Sequence, residues 1–141
     1  MTSALRQASA YLAVDLVQLR EGNVIAIKRG GKYVHARGDT ACLLIETSSN
    51  IDLEGDLRLS PEEEEALRAR GWLPPIPGIP GWFREFAWPA SGAAALTASE
   101  MMIDVAEQFP AADFEPLEVT AFNLSTNEPL DLESVRRLRA A

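Results

Sequence analysis

Few residues in this chain have the chemistry to catalyse or to hold an ion. His35 is the sole histidine and Cys42 the sole cysteine among 141 residues. One of each cannot make an ordinary zinc ligand set, and a lone cysteine forms no intramolecular disulfide. The two lie seven residues apart through a turn, so neighbouring strands could bring them near-opposed as base and nucleophile. The apolar run Ala-Cys-Leu-Leu-Ile around Cys42 makes a thiolate costly there and favours an inert thiol. Asp52, Glu54 and Asp56 alternate around Gly55 like a calcium loop, but the closing bidentate glutamate is missing at its proper distance. Glu62 to Glu65 form an acidic run, which suits a solvated helix start better than a cation site, because hard cations need oxygens converging from several turns. Gly30-Gly31 opens no helix and so is not a phosphate loop. The sequence assigns no catalytic residue, no metal site and no cofactor.

What remains is a cluster of aromatics. Trp72, Trp82, Phe83, Phe86 and Trp88 are crowded into seventeen residues beside the prolines 74, 75, 77 and 80. Such a cluster can be the core beneath a sheet, pinning the proline elbow. It can also be a surface groove, since Trp, Tyr and Arg concentrate binding energy at interfaces, and an aromatic edge strand can accept a partner by strand addition. Arg84 lies between Trp82 and Phe86 on the same face of the expected strand, and a lone buried guanidinium would be costly. This makes Trp82, Arg84 and Phe86 the candidate partner contacts. Trp88, next to the following connection, is expected to be structural.

The elements that must position these residues are legible from periodicity and punctuation. Residues 3–20 carry apolar side chains at Leu5, Ala8, Leu12, Leu16 and Leu19, the spacing of an amphipathic helix ended by Gly22. Runs 23–29, 32–37 and 41–47, separated by Gly30-Gly31 and by Gly38-Asp39-Thr40, predict a three-stranded antiparallel meander. Ser60, Pro61 and Glu63 form the start of a capped helix over 61–70, with Gly71 as its left-handed stop and Trp72 as the apolar contact that follows. A strand is expected over 82–88, a helix over 93–109, a strand over 117–123 and a last helix over 131–140. Grouped strands with helices between them predict an α+β fold, an antiparallel sheet with helices packed on one face.

Length and composition fit one soluble domain over residues 1–141: 47% hydrophobic residues and a mean hydropathy of -0.05. The net charge of -8 argues against nucleic acid, which needs a clustered basic surface. It is compatible with a basic or apolar protein partner. The N-terminal sixteen residues lack the apolar run of a signal peptide or membrane span, so a cytoplasmic setting is expected.

The strand Tyr33-Val34-His35-Ala36, the run Ile45-Glu46-Thr47-Ser48-Ser49-Asn50, the element Leu59-Ser60-Pro61-Glu62 to Gly71-Trp72 and Pro75, and Trp82-Phe83-Arg84 resemble the actinobacterial TY-Chap domains. These are relatives of the YbjN proteins, and both resemble the chaperones of type III secretion systems. The resemblance covers roughly residues 23–110. It implies a small α+β domain, dimeric in many secretion chaperones, that binds polypeptide without catalysis. A chaperone-like or adaptor role toward a protein partner is therefore the leading expectation. The alternatives are an immunity-type protein that neutralises a cognate toxin, and a small-molecule binder or small enzyme.

Overall fold

The computed structural model describes residues 4–110 and 116–141. The N-terminal helical stretch arrives in two pieces, α1 (Ala4–Gln7) and α2 (Ser9–Gln18), which meet at Ala8. The break has a local cause: the Ser9 hydroxyl donates to the Arg6 carbonyl at 2.8 Å, so a side chain competes with the backbone for a helical acceptor. Residue 3, where the single helix was expected to begin, lies outside the described residues.

Three strands follow, β1 (Asn23–Arg29), β2 (Lys32–Gly38) and β3 (Cys42–Thr47), as the antiparallel meander the turns predicted. Gly30 and Gly31 take φ of +62° and +80°, the left-handed region a tight hairpin demands at both central positions. Then come α3 (Pro61–Ala69), β4 (Trp82–Ala87), α4 (Gly92–Ala106), β5 (Glu118–Asn123) and α5 (Glu133–Arg139). All pairings are antiparallel, and the spatial order is β4-β3-β2-β1-β5. The class is α+β.

Directly opposed residues of an antiparallel ladder share a face. One row runs Ala121, Ile25, Ala36, Ile45 and Arg84, and the next runs Val119, Ile27, Val34, Thr47 and Trp82. The apolar members of both rows join Leu12 and Leu16 of α2, Met102 and Ile103 of α4 and Leu138 of α5 in one core. The helix layer of α2, α4 and α5 therefore covers this face. Val24, Ala26, Leu44 and Phe83 are buried on the opposite face, outside that core.

The sheet has two edges, and both are partly occupied. On β4, Leu73 exchanges both backbone hydrogen bonds with Phe83 (2.8 and 3.0 Å), which leaves the outward positions of Glu85 and Ala87. On β5, Arg139 Nε donates to the Val119 carbonyl, the Leu130 N–H donates to Ala121, and the Asn123 N–H donates to Glu128. Neither edge offers an incoming strand a long free ladder.

Candidate functional site

The site grows from α3, a helix fastened at both ends by polar bonds. Ser60 Oγ accepts from the Glu63 N–H at 3.1 Å, and the Glu63 carboxylate accepts from the Ser60 N–H at 3.0 Å. That backbone bond, more than anything else, holds the Glu63 carboxyl below its ordinary pKa. Pro61 occupies the first helical turn, where a missing N–H costs nothing. One residue upstream, the Asn50 side chain grips Leu59 twice, accepting from its N–H at 2.6 Å and donating to its carbonyl at 2.9 Å. At the far end Gly71 has φ of +100°, and the Trp72 N–H reaches back to the Leu67 carbonyl. Arg84 Nη1 then donates to the Gly71 carbonyl at 3.2 Å.

Although α3 is pinned at both ends, none of its nine residues is buried. Between it and the end of α4 lies an open cleft of about 250 Å³. Leu59 and Leu67 form one apolar wall and Val105 and Phe109 the other, while Lys32, Glu62 and Arg70 supply charge around them. Thr47 and Ser48 from the end of β3 complete the lining. A space of this size admits one or two large apolar side chains, below the range of drug-sized pockets.

The segment Glu46 to Asn50 builds this cleft. Its five side chains fasten β2, the proline elbow and the approach to α3. Glu46 Oε2 accepts from the Gly81 N–H at 2.7 Å and from the Tyr33 hydroxyl at 3.3 Å, while Oε1 lies 3.2 Å from His35 Nε2. Thr47 donates to the Tyr33 carbonyl, and Ser48 Oγ accepts from the Tyr33 N–H. Ser49 donates to the Pro80 carbonyl at 2.6 Å, fastening the proline elbow, and Asn50 holds the approach to α3. Burial pushes the Glu46 carboxyl up, but the His35 bond and charge, with Gly81 and Tyr33, outweigh it and hold the group below its ordinary value. Burial beside this carboxylate raises the Tyr33 phenol far above its usual range. Gly81 must be glycine: a Cβ there would strike the Thr47 carbonyl and come within 2.6 Å of Glu46 Cγ. This hub is visible in the sequence only as five consecutive hydrogen-bonding side chains after an apolar strand. Sequence reasoning used it as a mark of lineage and missed its role.

The aromatic strand corrects the expectation of a surface contact. Trp82 is 1% exposed and sits in the core, covered by the Arg68 guanidinium 5.3 Å from its ring centroid. The Trp82, Arg84, Phe86 face is the helix-covered face, so Trp82 offers no contact surface. Arg84 avoids the cost of burial by bonding Gly71 and lying over the Phe86 ring at 5.4 Å. Trp72 is 1% exposed, and the half-buried Trp88 packs against the same core. The strand register also separates the conceivable Cys42–His35 pair. His35 faces Glu46, whereas Cys42 faces Ala87, four residues or roughly 13 Å farther along β3. Burial, with Glu85 and Asp39 nearby, raises the Cys42 thiol above its ordinary pKa and keeps it protonated. Among the described residues, no three His, Cys, Asp or Glu side chains converge to hold a metal ion. No helix among them is long and apolar enough to cross a membrane.

An antiparallel five-stranded sheet covered by helices, with an apolar cleft beside α3, defines an α+β domain consistent with a chaperone-like fold. The chain belongs to the TY-Chap3 family, described as T3SS (YopN, CesT) and YbjN peptide-binding chaperone 3, whose model matches residues 6–115, more than three quarters of the sequence. β5 and α5 lie beyond that match. No curated protein and no solved structure matches this chain.

Proposed function

We propose that this chain is one non-enzymatic, cytoplasmic, chaperone-like domain that binds a partner polypeptide by taking large apolar side chains into the cleft between α3 and α4. The observation that carries this reading is a helix pinned at both ends with no fully buried side chain, Leu67 alone resting partly buried against the core. Such a helix holds open an apolar wall where a packed helix would close it. The short free stretches of both sheet edges argue for side-chain insertion over strand addition. At the cleft Glu62 and Glu63 are balanced by Lys32 and Arg70, but Glu64 and Glu65 stand beside them on α3 and the chain carries a net charge of -8, so lysine or arginine flanking the apolar anchor is the favoured partner chemistry. The toxin-neutralising alternative rests on charge alone, and no observation on the described residues favours the enzyme.

A library of short immobilised peptides tests the proposal. Binding is expected to concentrate on peptides with a large apolar residue flanked by Lys or Arg. Ala66→Trp, which fills the cleft from an exposed position, should weaken that binding at least about tenfold, the factor equivalent to ~1.4 kcal/mol. Binding with no apolar preference, or left intact by Ala66→Trp in a folded variant, overturns the reading.

A further inference from the structure

The bank of the cleft opposite α3 adjoins a second, basic hollow. Lys28 and Lys32, the only two lysines of the chain, fall with Arg29 around the Gly30-Gly31 turn, although the net charge is -8. Arg29 and Lys32 stand directly opposite each other, two positions beyond Ile27 and Val34 and so on the same helix-covered face. Like charges opposed in this way destabilise a ladder. None of the three cations forms an ion pair with a described residue. The Arg29 Nε–H is shielded from solvent and has no hydrogen-bond partner among the described residues. Around them lies an open hollow of about 350 Å³, bordered also by Tyr33, Pro116 and Glu118. Lys32 lines this hollow and the cleft alike. A Cβ on Gly30 would lie 2.3 Å from the Pro110 carbonyl oxygen, so the turn sits hard against the end of α4.

We propose that this hollow takes a carboxylate side chain of the same polypeptide whose apolar anchor fills the cleft, an inference that rests on the cleft reading. Glu118 stands opposite Lys28 on β5, and Glu62 and Glu63 offset Lys32 across the cleft. Arg29 has no such counterpart among the described residues lining the hollow. A carboxylate placed there accepts a charge-assisted bond from Arg29 Nε and lies between two opposed cations, which removes both the unbonded donor and the repulsion. The two banks then select differently: the acidic start of α3 favours a basic residue on one side of the anchor, and the hairpin favours an acidic residue on the other. Because Lys32 belongs to both spaces, the acidic residue lies within about four positions of the anchor, ~13 Å of extended chain.

Two labelled peptides test this by fluorescence anisotropy at low salt. Each carries one large apolar residue with lysine on one side; about three positions to the other side, one has glutamate and the other glutamine. The native chain should bind the glutamate peptide about five- to tenfold more tightly. Arg29→Gln, checked for folding by its denaturation midpoint, should abolish that preference and bind the glutamine peptide as the native chain does. Glu118→Gln, at an exposed position, removes a competing carboxylate and should widen the preference. Equal affinity for both peptides, a preference that survives in folded Arg29→Gln, or one that fails to widen in Glu118→Gln overturns the proposal; the cleft reading stands if Ala66→Trp still blocks both peptides. Inorganic phosphate bound by the native chain and not by Arg29→Gln, without a glutamate preference, would assign the hollow to a free anion and also overturns it. Binding of neither peptide, or binding that Ala66→Trp leaves intact, overturns the cleft reading and this proposal with it.

Discussion

Helices α4 and α3 face each other across the cleft and are held by opposite means. Seven of the fifteen residues of α4 are buried, Met102 and Ile103 completely, so hydrophobic burial and close packing keep it in place. None of the nine residues of α3 is fully buried, and apart from Leu67, which packs partly buried against the core, it relies on its capping box, on the Asn50 grip and on the Arg84 bond to Gly71. Burial is non-directional and closes gaps, whereas hydrogen bonds fix distance and direction. A wall attached mainly by polar pins, with Leu67 as its one core contact from an apolar side chain, can therefore leave an apolar space beside it. Polar pins also contribute less net stability each, about 0.5–1.5 kcal/mol, so the α3 side should open locally before the α4 side.

Trp82 tests the comparison hardest, because it belongs to the buried side while lying under Arg68 of α3. Trp82→Ala should cost about 3–5 kcal/mol in global stability, read from urea denaturation midpoints. A small loss would return Trp82 to the polar, peripheral region.

The next effect concerns Glu46, a polar pin with core burial. Glu46→Ala leaves the Gly81 N–H without its acceptor and should cost roughly 1–3 kcal/mol near neutral pH. The folded carboxyl titrates below the ordinary value of 4.5, so its contribution is present above that pH and is lost as pH falls through the folded-state pKa. The gap between native chain and variant should therefore narrow in denaturation curves taken progressively below pH 4.5. A gap that widens on acidification would mean that the carboxylate strains this site.

Ser60→Ala is the mildest test and the most local. Losing the cap should cost ~1 kcal/mol. Amide hydrogen exchange should speed up within α3 by several-fold while the amides of α4 keep their rates. Equal acceleration in both helices would show that they form one cooperative unit and would erase the distinction drawn between them.

The sequence made some of this legible because the signals are local. Ser60, Pro61, Glu63 and Gly71 lie within twelve residues and fix both ends of α3 by their own backbone preferences. Gly30-Gly31 marked the hairpin in the same way, and the spacing of Leu5, Ala8, Leu12, Leu16 and Leu19 marked the inner face of the first helical stretch, all five being buried. Other features depend on partners distant in the chain. β5 lies beside β1, almost a hundred residues away in sequence, and nothing in either strand names the other. Alternation along Trp82 to Trp88 put Trp82, Arg84 and Phe86 on a common face, but which face met the helices was decided by the pairing of β4 with β3.

The sequence by itself determined the order of elements, the caps, the turns and the lack of a ready zinc or disulfide set. These follow from backbone geometry and residue counts. Only the tertiary structure decided that Asp15 caps a helix 119 positions away and that Glu46 to Asn50 is the hub of the cleft. It also decided that Trp82 is core. A hydrogen bond or a packed ring acquires its meaning from the group brought against it, and that group is chosen by the fold.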